Sequence, residues 1–161
     1  MTKAFSHERV SDGKDEWLTP PEIVQALGPF DLDPCAPCVR PWPTAITHFT
    51  IEDDGLSRPW FGRVWMNPPY GRSTINWMRR LKEHGNGIAL IFARTETKTF
   101  FECVWGVADA VLWIKGRLLF YHVDGTKPNN SGGAPSVLIA YGRENAARLF
   151  TCGIDGHVTT A

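Results

Sequence analysis

Residues 62–71 read Gly-Arg-Val-Trp-Met-Asn-Pro-Pro-Tyr-Gly, a short apolar run halted by an asparagine and two consecutive prolines. Val64, Trp65 and Met66 suit a strand, and two residues without an N–H end its ladder and turn the chain. Beyond the turn, Ser73 can cap a helix through Lys82 that turns Ile75, Trp77, Met78 and Leu81 partly inward and stops at Gly85. Strand, turn and helix in that order are the unit from which α/β sheets are wound.

The same alternation extends on both sides. Upstream, Thr19-Pro20-Pro21-Glu22 reads as a helix start, with Thr19 as N-cap, Pro20 in the first turn and Glu22 closing a capping box; Gly28 ends the helix. Phe30-Asp31-Leu32-Asp33 is a brief strand stopped at Pro34, and the proline-rich residues 34–59 are expected to be mostly loop. Downstream, residues 87–92 form a buried strand, and Thr97 or Thr99 opens a helix carrying Phe100, Phe101 and Val104. Residues 110–114, 118–121 and 136–141 complete the strands, the first two joined by a tight turn at Lys115-Gly116. A last helix over residues 144–150 precedes a frayed tail. The expected fold is α/β: a mostly parallel sheet with an antiparallel edge strand, in one domain over residues 16–151, between a flexible arm (1–15) and a C-terminal tail (152–161). Sheets of this kind bind ligands beyond the carboxyl ends of their strands. Asp33 and Asn67 both stand at such ends.

Length and composition agree with a single domain. A chain of 161 residues, 43% hydrophobic and 21% charged, can bury a core of its own and is not disordered as a whole. Its apolar runs are too short to span a bilayer, and it opens without a basic, apolar, small-residue leader, so a cytoplasmic setting is expected. The 17 basic and 17 acidic residues cancel, so overall charge does not favour nucleic acid. Arg58, Arg63, Arg72, Arg79, Arg80 and Lys82 do bracket the central motif, a distribution that permits a basic face. Cys35 and Cys38 have the spacing of half a zinc site or of a redox pair. Two further ligands are not obvious, and prolines follow both residues closely; two reduced thiols without a metal is the better reading.

The Asn67–Tyr70 tetrapeptide is suited to one kind of chemistry. An amino group conjugated with a purine ring is a poor nucleophile, and two acceptors against its two N–H groups favour a more tetrahedral nitrogen. The side-chain oxygen of Asn67 and the carbonyl of Pro68 are two such acceptors, and consecutive prolines preset the carbonyl's direction. Tyr70 offers a flat face to a base taken out of its stack, and Gly71 lets backbone come close. Neither metal nor general base is required.

Four separated motifs carry a resemblance: Trp17-Leu18-Thr19-Pro20, residues 30–36 (Phe-Asp-Leu-Asp-Pro-Cys-Ala), Asp54-Gly55-Leu56-Ser57, and residues 65–71. Together, over roughly residues 15–140, they resemble the phage-type DNA N6-adenine methyltransferases of the Dam-like family. The resemblance implies a single-domain, Rossmann-like methyltransferase fold, S-adenosyl-L-methionine as cofactor, and methylation of adenine N6 on a flipped base in double-stranded DNA. It further implies a phage- or prophage-encoded protein in a bacterial host, acting at a short palindrome of the GATC kind, as a monomer or weak dimer. Asn67, Pro68, Pro69 and Tyr70 are the implied catalytic residues. Thr19 and Pro20 are similar to the segment along the methionine part of the cofactor, Asp33-Pro34 to its acidic contact, and Asp54 to the acid that meets its adenine. The family's glycine-rich turn is replaced by Cys35-Ala36-Pro37-Cys38, which sets Cys35 against ligand.

Each of these positions also has a plainer reading: Thr19 as a helix cap only, Asp33 as a turn former, Asp54 as a solvated acid. Of the seven tryptophans, mostly core, Trp17, Trp42 and Trp77 are candidates for lining a cleft. Tyr70, Arg72, Arg94, Lys98 and Lys127 are the candidate substrate contacts, Lys127 lying in the long Gly/Asn/Ser-rich loop of residues 125–134. The tetrapeptide also serves methyltransferases of RNA adenine and of protein glutamine, whose amide nitrogen is similarly planar. A DNA-binding accessory protein without activity is the non-enzymatic alternative.

Overall fold

The computed structural model describes residues 16–130 and 133–161; the expected N-terminal arm lies outside them. The chain runs β1 (Trp17–Leu18), α1 (Pro21–Leu27), β2 (Leu32–Asp33), β3 (Thr47–His48), a 3-10 turn (Gly55–Ser57), β4 (Val64–Met66), α2 (Thr74–His84), β5 (Gly87–Phe92), α3 (Lys98–Cys103), β6 (Ala110–Ile114), β7 (Tyr121–His122), β8 (Ser136–Tyr141), α4 (Arg143–Thr151) and β9 (Gly156–Thr159). Seven strands form one mixed sheet in the order β3-β2-β4-β5-β8-β6-β9. The strands β3, β2, β4 and β5 are parallel neighbours, while β8 is antiparallel to both β5 and β6.

Residues alternate across the sheet with the period of two that a pleated strand imposes. Ala89, Ile91, Val111, Val137 and Ile139 face α2 and α3, meeting Met78, Leu81, Phe100 and Cys103. Ile88, Leu90, Ala110, Leu112, Leu138 and Ala140 face the other way, meeting Ile23, Val24 and Leu27 of α1 and Leu149 of α4. The result is a helix–sheet–helix sandwich in which each fully buried Val, Leu or Ile side chain contributes about 1.5–3 kcal/mol of transfer free energy. Arg63 ties the layers together at the foot of β4. Its buried guanidinium donates to the carbonyls of Leu27 and Pro29 and to Asn145 Oδ1, at 2.6, 3.0 and 2.6 Å. Asn145 in turn donates to Tyr141 O and Asn86 Oδ1.

Several sequence expectations are corrected. Thr19 is not the N-cap of α1: Pro20 occupies that position without a side-chain bond, which leaves Glu22 one residue short of a capping box. Residues 34–59 carry β3 and the 3-10 turn. Phe101 points outward, 66% exposed. Residues 118–121 do not form a hairpin with β6, because β8 and β9 already occupy both edges of β6. The short strand β7 instead pairs antiparallel with β1, through Trp17 to His122 and Leu18 to Tyr121. Antiparallel pairing is therefore not confined to an edge, since β8 lies inside the sheet. The tail, expected to fray, supplies the edge strand β9, where Leu112 pairs with Val158.

Candidate active site

Adjacent and parallel, β2 and β4 pair Leu32 with Val64, so Asp33 and Asn67 emerge at the same end of the sheet. Asp33 is almost wholly buried, 3% exposed. Its carboxylate accepts from the Cys35 backbone N–H (3.1 Å) and from the Thr44 hydroxyl. Burial pushes its pKa up from 3.8 to about 6, against the lowering pull of the two hydrogen bonds and of Arg40. The Thr44 backbone N–H is held by His48 Nε2 at 3.1 Å, and burial, aided by Arg40, lowers that imidazole to about 4. His48 is thus a neutral acceptor that fixes the loop behind Asp33.

Asn67 is held on several sides. Its Nδ2 donates to Thr19 Oγ1 (3.4 Å), and its Oδ1 accepts from the Tyr70 hydroxyl (3.2 Å). The Cys35 thiol, its pKa raised by burial and by Asp33, donates to the Asn67 carbonyl at 3.5 Å. Thr74 Oγ1 donates to Pro69 O at 2.6 Å and fastens the motif to the first turn of α2. Tyr70 is 40% exposed, while burial at its hydroxyl end holds the phenol above its ordinary range, so it remains a donor.

A cavity of about 330 Å³ opens at this end of the sheet. Thr19, Asp33, Pro34, Cys35, Asp54, Asn67, Pro68, Pro69 and Tyr70, separated in sequence, all line it. Asp54 takes a left-handed conformation (φ 53°) at the start of the 3-10 turn. Gly55 follows it because the Pro34 carbonyl leaves no room there for a Cβ. A second cavity of about 380 Å³ lies beyond Tyr70, which lines both, and includes Phe92, Arg94, Thr97 and Thr99. The charged residues on the first wall are Glu16, Asp33 and Asp54, all acids; on the second, Arg94 alone. Tyr70 therefore stands between an acidic cavity and a basic one.

Other candidates lie elsewhere. Pro20 caps α1 and lines neither cavity; Arg72 is exposed and lines neither. Lys98 pairs outward with Glu102 (3.4 Å), and Lys127 sits 5.7 Å from the Tyr121 ring. The bracket of cations does not form one face: Arg63 is buried, Arg79 binds Glu102 at 2.7 Å, and Arg80 lies over Trp60. Trp17 and Trp77 line the first cavity, whereas Trp42 packs against Tyr121. The Cys35–Cys38 pair is split, with Cys38 exposed; among the described residues no three His, Cys, Asp or Glu side chains gather as a metal site. Sequence reasoning missed Glu16, Thr44 and Phe92, which carry no motif and reach the site only through pairing and loop closure. Among the described residues no helix is long and apolar enough to cross a membrane.

No curated protein and no solved structure matches the chain. The family model described as DNA N-6-adenine-methyltransferase (Dam) matches residues 6–152, a span that takes in every element from β1 to α4. With the Asn-Pro-Pro-Tyr segment at a strand end above an acid-lined cavity, that match establishes that the chain belongs to the DNA N-6-adenine-methyltransferase (Dam) family.

Proposed function

We propose that the protein methylates the exocyclic N6 of adenine in double-stranded DNA, on a base rotated out of the duplex, with S-adenosyl-L-methionine as methyl donor. The helix–sheet–helix architecture is then a Rossmann-like methyltransferase fold. The observation that carries the reading is the placement of Asn67, Pro68 and Tyr70 on the wall of a cavity whose charged lining is wholly acidic. Bound there, S-adenosyl-L-methionine supplies an electrophilic methyl group on a sulfonium.

The residues present fit such a molecule. A volume of about 330 Å³ lies at the small end of the range for small-molecule sites, and the cavity is open enough to extend it. Acidic side chains without a lining cation suit a ligand bearing a sulfonium and an ammonium. Asp33 and Asp54 would both hold it, with Thr19, Pro34 and Cys35 as further wall and Pro20 as a further contact.

Toward the base, Asn67 Oδ1 and the Pro68 carbonyl accept from the two N6 protons. The oxygen of Asn67 has a second lone pair besides the one facing the Tyr70 hydroxyl. Holding both protons bends the amino group toward tetrahedral geometry and spreads the charge that develops on it. Water then takes the proton from the acidic methylated nitrogen. Arg94, beside Tyr70 in the second cavity, meets phosphate or base edge, with Arg72, Lys98 and Lys127 as outer contacts. The protein acts in this reading as a monomer or weak dimer, in the cytoplasm of a bacterial host that carries its gene on a phage or prophage.

The test is methyl transfer from labelled S-adenosyl-L-methionine to unmethylated duplex DNA, RNA and protein, followed by nucleoside analysis. N6-methyladenine in DNA is expected. Label only in RNA or in glutamine overturns the substrate, and no label anywhere overturns the activity. Asn67→Ala is expected to abolish methylation and keep cofactor affinity within about threefold; unchanged turnover sinks the role of Asn67.

A further inference from the structure

The ring of Tyr70 is constrained on two sides. Its hydroxyl is tethered to Asn67 Oδ1, and one of its faces is covered by Phe92, with ring centroids 4.2 Å apart and planes 14° from parallel. Phe92 is not a loop residue free to follow. It closes the six-residue ladder between β5 and β8, opposite Ser136, and the next residue, Ala93, donates to Pro135 O at 2.8 Å. Behind it, the buried ring of Phe120 meets Phe92 edge-on at 6.4 Å and 90°. Three rings thus run from the core to the surface: Phe120 is 6% exposed, Phe92 half-buried and Tyr70 40% exposed.

We infer that Phe92 is a positioning residue that backs the Tyr70 ring, so that an extruded adenine base stacks on the opposite face of Tyr70 with its amino group directed at Asn67. The role rests on the proposed function of the site, because it takes Tyr70 as the platform for the base. Its physical basis is that a platform saves entropy only when it is already oriented before the ligand arrives. An isolated tyrosine next to Gly71, whose surroundings are open, has no such orientation of its own. The stack with Phe92 provides it, and the strand ladder prevents Phe92 from moving with the ring. Nothing in the local sequence announces this, since the two residues are 22 positions apart.

The test compares the wild type with Phe92→Leu, which keeps an apolar side chain but removes the flat surface, and with Phe92→Tyr, which restores it. KM for duplex DNA and kcat are measured separately, the affinity for S-adenosyl-L-methionine is measured by calorimetry, and extrusion is read from 2-aminopurine fluorescence at the adenine that the wild type methylates. Phe92→Leu is expected to raise KM for DNA on the order of threefold to tenfold, the range of a lost aromatic pair, and to weaken the extrusion signal. Cofactor affinity is expected to stay within about twofold of wild type, and Phe92→Tyr to behave as wild type. A Phe92→Leu protein with wild-type KM and fluorescence overturns the role. Tighter DNA binding does so too, because Phe92 would then be occupying the base's place. Should Phe92→Leu not fold, Phe92→Met is read in its place by the same measurements. Wild-type protein that forms no N6-methyladenine defeats the reading of the site itself; methylation by the wild type with no defect in the variant defeats Phe92 alone.

Discussion

Replacing Asp33 with asparagine isolates the cost of burying a carboxylate at the foot of the cavity. Burial raises this group from 3.8 to about 6, so between those values the folded protein binds a proton that the unfolded chain has released. Stability contributed by Asp33 is therefore fully present below pH 3.8 and falls as pH rises through about 6, where the loss levels off. The total corresponds to about 3 kcal/mol. His48 acts in the opposite sense over much the same window: its pKa is lowered from 6.5 to about 4, so its contribution is lost as pH falls. Wild-type stability alone hides both effects, and the difference between wild type and Asp33→Asn separates them. Asparagine can still accept from the Cys35 N–H through Oδ1, and its Nδ2 can donate to Thr44 Oγ1, so the two hydrogen bonds need not be lost. Urea unfolding at pH 4 and at pH 8 is expected to show little difference at the lower pH. At the higher pH it should show an advantage to the variant of up to about 3 kcal/mol, a Tm gain on the order of 6–12 °C. On the proposed function the same variant is expected to bind S-adenosyl-L-methionine at least tenfold more weakly, the loss of one charge-assisted contact of ~1.5–3 kcal/mol. A gap in stability that does not change with pH, or a variant less stable at pH 8, refutes the reasoning.

Three further outcomes are expected. Arg63→Met leaves the Leu27 and Pro29 carbonyls and Asn145 without their donor and should cost about 3 kcal/mol or more in urea unfolding; a loss below about 1 kcal/mol contradicts the clamp. Gly55→Ala drives a Cβ into the Pro34 carbonyl and should lower stability by about 1–3 kcal/mol and cofactor affinity with it, both readable by thermal unfolding with and without cofactor; a neutral variant denies the close approach. Arg94→Ala should weaken DNA binding with cofactor affinity unchanged and reduce the slope of log K against log salt by about one if the guanidinium meets phosphate; an unchanged slope with weaker binding points to a base edge.

Much of this protein is legible in its residue order. The strands β5, β6 and β8 are continuous apolar runs, readable because a strand buried on both faces has no polar positions to confuse the pattern. Gly28 and Gly85 mark helix ends, and Asn67–Tyr70 stands at a strand end as its prolines require. These are local properties, set by period, by proline's missing N–H and by glycine's freedom. Tertiary structure decided the rest. Thr19 reads as a helix cap, and only the approach of β4 turns its hydroxyl toward Asn67. The polar tail becomes β9 on the edge of β6 that β8 leaves free, and residues 118–121 miss their hairpin because β8 and β9 together occupy both edges. Arg79 reads as part of a basic face until Glu102 engages it. The acidic cavity wall, the change of charge across Tyr70 and the Phe92 stack join residues tens of positions apart. Such pairings depend on which edges and faces remain unoccupied once the sheet has formed, a property of the whole packed chain that no window of sequence contains.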